Sequence, residues 1–150
     1  MLTAKDIMSA NVVTVKKDAS IDALAGLFVK HKVNGIPVVG DADDVIGIVT
    51  EGDLIEQNKN LHIPTVITLF DAVIFLESNK KFEAEMKRLA ATKVEDIYQS
   101  KVLTVNPDEP VTRVAAIMAD EDIHTLPVVR DGKLVGVIGK LDVIKAMNPN

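Results

Sequence analysis

The chain has 150 residues, of which 47% are hydrophobic and 26% charged, and its formal net charge is −5. These values fit one globular domain or a small pair and exclude disordered and collagen-like classes. The acidic balance argues against nucleic-acid and anionic-membrane partners, and the absence of cysteine excludes disulfides, thiolate catalysis and cysteine zinc sites.

Aromatic residues are only 3%, so the core has to be built from Val, Ile, Leu and Ala. Val12-Val13-Thr14-Val15 is a short β-rich segment. Asp18 or Ser20 then offers a helix N-cap, and Ile21, Leu24, Ala25 and Phe28 follow at helical spacing. Ile36 to Val39 and Val45 to Val49 flank a polar turn, which predicts a hairpin, and a short helix is expected from about Glu51. The apolar stretch Ile63 to Leu76 contains Pro64 and Asp71 and is too short to span a bilayer. It must be buried against the chain itself or at a subunit or partner interface. Phe82, Met86 and Leu89 next mark an amphipathic helix among lysines and glutamates. Val102 to Val105 is a second β-rich segment. Pro110 precedes a helical face of Val111, Val114, Ala115 and Met118. Leu126 to Val129, the Asp131-Gly132 turn and Leu134 to Ile138 predict another hairpin, with a helix from about Lys140.

The order strand, helix, strand, strand, helix therefore occurs twice. Shifted by 90 positions, Asp6-Ile7 meets Asp96-Ile97, Val12 to Val15 meets Val102 to Val105, and Ile36 to Val39 meets Leu126 to Val129. After a one-residue gap in the hairpin turn, Gly47-Ile48-Val49 meets Gly136-Val137-Ile138, and Asp53 meets Asp142. One unit exposes a sheet face that it cannot cover alone, whereas two stacked units bury both. The expected organisation is a mixed α/β pair: repeats over 1–60 and 92–150, joined by a helical segment over 61–91.

Residues 3–59 and 92–147 resemble a tandem cystathionine-β-synthase (CBS) domain pair, or Bateman module. The resemblance rests on Asn34-Gly35-Ile36-Pro37-Val38-Val39 with Gly47-Ile48-Val49-Thr50-Glu51-Gly52-Asp53-Leu54, and on His124-Thr125-Leu126-Pro127-Val128-Val129 with Gly136-Val137-Ile138-Gly139-Lys140-Leu141-Asp142-Val143. It implies a cleft between the repeats with two pseudo-equivalent adenosine sites, a disc-shaped homodimer, and sensing of AMP, ADP, ATP or S-adenosylmethionine on behalf of a protein partner in trans. Absence of cysteine and of a visible leader suits a cytoplasmic location.

Carried over residue by residue, the resemblance implies one site at Thr50, Gly52 and Asp53 with Val102, Leu103, His124, Thr125, Leu126 and Pro127. Thr50 would contact phosphate, Asp53 the ribose hydroxyls, and the aliphatic side chains would sandwich adenine while strand backbone reads its edge. A second site would join Lys140 and Asp142 to Val12, Val13, Asn34, Gly35, Ile36 and Pro37. There Gly139 stands where the first repeat has Thr50, so a phosphate-contacting hydroxyl is lost. Simpler readings stand beside these. Thr50 and Asp53 suit the capping of a helix, His124 a polar residue before a strand, and Lys140 a solvated lysine.

No metal site is expected. His31, His62 and His124 lack metal-ligand spacing, and Asp41, Asp43 and Asp44 lack the ordered ligands of a calcium loop. No nucleophile stands beside a base, so catalysis is not expected. The competing function is a ligand-free structural dimerisation module, which Gly139 motivates.

Overall fold

A computed structural model describes residues 1–57, 66–69, 72–75 and 92–148. The first repeat contains helix α1 (Ala4–Ile7), helix α2 (Ile21–His31), strands β1 (Gly35–Val39) and β2 (Val45–Thr50), and helix α3 (Glu51–Gln57). The second contains a single 3₁₀ turn (Val94–Asp96), helix α4 (Val111–Asp120), strands β5 (Thr125–Arg130) and β6 (Lys133–Gly139), and helix α5 (Lys140–Met147). Between them, β3 (Val66–Leu69) pairs antiparallel with β4 (Ala72–Phe75). The amphipathic helix expected around Phe82 to Leu89 lies outside the described residues.

Each helix forms where its apolar spacing and cap agree. Ser20 caps α2 by accepting the Ala23 amide at 3.1 Å, so Ser20 rather than Asp18 is the N-cap. Ile21, Leu24 and Phe28 are the buried stripe of α2, and Val114 and Met118 repeat it on α4. The hairpins are antiparallel, and both shift register at matching positions, between Val38 and Val39 and between Val128 and Val129. Asp131 and Gly132 both have positive φ (51° and 79°), the backbone that a two-residue hairpin turn demands.

The β-rich segments Val12 to Val15 and Val102 to Val105 do not form strands of several residues. Each contributes one parallel bridge, Val15 to Val38 and Val105 to Val128. The bridges are built from the Val15 amide on the Pro37 carbonyl (3.1 Å) and the Val39 amide on the Val15 carbonyl (3.0 Å), with matching bonds at Val105. The next rung would need amide protons from Pro37 and Pro127 directed to Val13 and Leu103, and proline has none. The ladder therefore stops after a single residue in both repeats.

The leading segment of each repeat crosses to the other. The Ala4 amide donates to Glu109, the Lys5 amide to Pro107, and Ser9 pairs with Val137 on the edge of β6. Reciprocally, the Val94 amide donates to Ala19, the Ile21 amide to Thr92, and Gln99 pairs with Ile48 on the edge of β2. The cores are exchanged in the same way. Val94 is fully buried in the cluster formed by Leu24, Ile36, Val38 and Val49. Ala4 is fully buried in the cluster of Val114, Leu126, Val128 and Ile138. The two hairpins meet at Gly35, where a β-carbon would come within 2.9 Å of the Thr125 hydroxyl.

Candidate functional site

The exchange leaves a cleft of about 770 Å³ between the repeats. The first repeat contributes Asn34, Ile48 and Ile55 with the turn Thr50-Glu51-Gly52. The second contributes Gln99 from the crossing segment, Lys101, Val102 and Leu103 just after it, and Glu121 to Thr125 from the turn between α4 and β5. Ile48, Ile55, Leu103 and Ile123 supply apolar walls. Thr50, Lys101 and His124 supply polar groups.

Thr50 is held at the junction of β2 and α3. Its amide donates to Asp53 Oδ2 at 2.8 Å, and its hydroxyl oxygen accepts the Asp53 amide at 3.2 Å. This reciprocal cap fixes the first turn of α3. The Glu51 amide donates to the Asn34 carbonyl at 3.1 Å, which ties the same junction to the start of β1. Asp53 also accepts the Gln99 side-chain amide, at 2.9 Å on Oδ1 and 3.1 Å on Oδ2. Gln99 lines the cleft and Asp53 does not.

Of the first expected site, Thr50, Gly52, Val102, Leu103, His124 and Thr125 converge on the cleft. Leu126 is fully buried in the second core and Pro127 beside it is fully buried too, so both stand behind the cleft wall. His124 is half exposed, with Nε2 3.6 Å from Asp122 Oδ1, a charge pair once the imidazole is protonated. Val102 and Leu103 make no hydrogen bond among the described residues, and the missing Pro127 amide accounts for the unpaired Leu103 carbonyl.

The residues of the second expected site are dispersed. Asn34 lines the first cleft, while Gly35 abuts Thr125. Ile36 and Pro37 are fully buried. Val12 lines a separate recess of about 190 Å³ with Thr14, Val39 and Leu134, and Val13 packs on the first core. Lys140 is exposed, and Asp142 accepts the Gly139 amide at 2.8 Å as a cap of α5.

Sequence reasoning missed Ile48, Ile55, Gln99, Lys101 and the Glu121 to Ile123 turn. A signal for Gln99 was present. Gly47 in mid-strand marks a close approach by other backbone, and a β-carbon there would overlap the Tyr98 ring and lie 2.6 Å from the Gln99 carbonyl. Among the described residues, no group of three or more His, Asp or Glu side chains is placed to hold a metal ion. No described helix is long and apolar enough to cross a membrane.

Comparison with known proteins adds the context. An uncharacterized protein of Methanocaldococcus jannaschii is 30% identical over 155 residues, covering 98% of this chain and 92% of its own. Other matching relatives are longer, and the chain spans 42% of one and 22% of another. The crystal structure of CBSX2 in complex with AMP has a TM-score of 0.74 at 25% identity, with 98% and 96% of the two chains covered. The CBS domain pair of protein MJ0100 in complex with 5′-methylthioadenosine and S-adenosyl-L-methionine has a TM-score of 0.73 at 25% identity, with 99% and 98% covered. The CBS domain family model matches residues 4–60 and 94–149. The exchanged double repeat around a shared cleft and this match over most of the chain agree: the protein belongs to the CBS domain family, as a tandem pair.

Proposed function

We propose that the chain is a regulatory sensor whose cleft binds an adenosine-containing small molecule, AMP, ADP, ATP or S-adenosylmethionine. The observation that carries this reading is the junction of an apolar slot with open strand backbone. Leu103, Ile48 and Ile55 offer faces for a planar base, and the neighbouring Val102-Leu103 backbone carries amide and carbonyl groups that make no hydrogen bond among the described residues. Such groups read the edge of a base without charge. Thr50, Lys101 and His124 stand along the same cleft to meet hydroxyl or phosphate oxygens. A volume of about 770 Å³ is within the range of small-molecule sites. The AMP complex of CBSX2 and the methylthioadenosine and S-adenosylmethionine complex of MJ0100 support the ligand class.

In this reading the protein binds and does not catalyse. A second, weaker site rests on Asp142 and Lys140. The exposed apolar residues Leu141, Ile144 and Met147 on α5 support a homodimer or a protein partner in trans, and the lack of cysteine suits a cytoplasmic setting. Calorimetric titration with AMP, ADP, ATP and S-adenosylmethionine tests the proposal. Binding raises the melting temperature, because a ligand specific for the native state stabilises it. An unchanged melting temperature in millimolar amounts of every ligand would instead favour the ligand-free dimerisation module that Gly139 suggests.

A further inference from the structure

Asp53 and Asp142 occupy matching positions, and each accepts an amide proton from the residue three positions earlier. They differ in what else they hold. Asp53 receives the Gln99 side-chain amide on both oxygens, and Gln99, not Asp53, lines the cleft. Ser9 takes the place of Gln99 in the other half, pairing with Val137 as Gln99 pairs with Ile48. Asp142 has no partner other than Gly139 among the described residues.

We infer that Gln99 is a competing occupant of the ribose subsite: its side-chain amide holds the acceptor oxygens of Asp53 that a vicinal diol would take, and a ribose must displace it to bind. This inference rests on the adenosine reading above, with Asp53 taken in the ribose contact that the family resemblance implies. A carboxylate has about four lone-pair positions. The Thr50 amide and the two Gln99 contacts use three, so a diol that donates two hydrogen bonds finds one. Displacing Gln99 frees the remainder. Gln99 ends the crossing segment that begins at Thr92, directly after the inter-repeat segment, and its backbone bonds to Ile48 hold that segment on β2. Release of its side chain by ligand therefore severs the side-chain link between α3 and the crossing segment, so occupancy is felt outside the cleft. The Asp142 site carries no such competitor.

The competition predicts tighter binding when Gln99 cannot donate. Gln99→Met keeps the length and bulk of the side chain and the backbone pairing with Ile48, but removes the donor. Gln99→Asn keeps an amide one methylene too short to reach. AMP and 2′,3′-dideoxy-AMP are titrated by calorimetry into the full-length chain and both variants. The expected result is a roughly three- to tenfold gain in AMP affinity for each variant, the range that one released hydrogen bond supplies. The dideoxy ligand, which has no diol to compete, should change less than about twofold in the same comparison. Unchanged or weaker AMP binding in the variants overturns the competition, as does an equal gain for the dideoxy ligand. Absence of binding of AMP, ADP, ATP and S-adenosylmethionine by all three proteins overturns the adenosine reading itself and the competition with it; where one of the others is bound in place of AMP, the same gain is read on it, since each carries the ribose diol. Binding by all three without a gain overturns the competition alone.

Discussion

Replacing Gly47 by alanine tests the exchange of leading segments without touching a polar group. Gly47 lies buried in β2, and the backbone of Tyr98 and Gln99 runs across it, with the Gln99 amide 2.8 Å from the Ile48 carbonyl and the Ile48 amide 3.0 Å from the Gln99 carbonyl. A β-carbon would overlap the Tyr98 ring and sit 2.6 Å from the Gln99 carbonyl oxygen. The ring can rotate only with Tyr98, and the carbonyl is fixed by its own pairing, so the crossing segment has to lift. Overpacking of this kind costs about 1–3 kcal/mol. For a chain of this size each kcal/mol moves the melting temperature by about 2–4 °C, so the expected loss is about 2–12 °C. Two internal comparisons calibrate the result by differential scanning calorimetry. Gly136→Ala meets the side chain of Met8, a flexible obstacle that can swing aside, and should lose less than Gly47→Ala. Gly26→Ala, exposed in α2 with nothing within 4 Å, should gain about 0.5–1 kcal/mol from helix propensity. A Gly47→Ala protein that melts with the wild type would show that Tyr98 and Gln99 do not lie on β2, and the cleft as described would go with them.

Leu24→Ala removes a fully buried side chain from the first core and should cost about 2–5 kcal/mol in urea unfolding; a loss under about 1 kcal/mol would mean that α2 does not pack on β1 as described. Ser20→Ala should cost about 1 kcal/mol, because the Ala23 amide loses its acceptor, and an unchanged denaturation midpoint would remove the cap. The Asp6 carboxyl accepts the Thr3 backbone amide and then the Thr3 hydroxyl, which hold it below the ordinary value of 3.8. A depressed folded-state value means that its contribution to capping α1 is present above the ordinary carboxylate range and is lost as pH falls through the depressed value. A carbon-detected NMR titration should place the Asp6 midpoint under 3.8, and a midpoint at or above it would contradict the hydrogen bonds.

Local signals carried most of the fold into view. The two hairpins were legible from paired apolar runs around turn residues, and the helices from three- and four-residue spacing behind Ser20 and Pro110. The expected strands at Val12 and Val102 are too long because β propensity is blind to what donates the next rung. Pro37 and Pro127 were visible in the sequence and explain the truncation. The exchange was harder to see. Ala4 and Val94 enter the opposite cores from segments too short for any periodicity, and only Gly47 and Gly136 hint at what lies across them. The site was legible where a motif sits at a strand end, as at Thr50 and His124. It was not legible where it depends on the exchange, as at Gln99 and Lys101. Leu126 and Pro127 illustrate the limit of transferring a whole motif: residues adjacent in sequence to a cleft wall lie on the core side of it.

Amide NMR of the labelled protein during AMP addition reads directly whether an adenosine ligand seats in the cleft between Thr50 and Val102. Saturable shifts are expected at Thr50, Gly52, Val102, Leu103, His124 and Thr125, the residues that converge on the cleft. Absence of shifts at millimolar AMP, S-adenosylmethionine and ATP, or saturable shifts confined to residues far from the cleft, would contradict that seating.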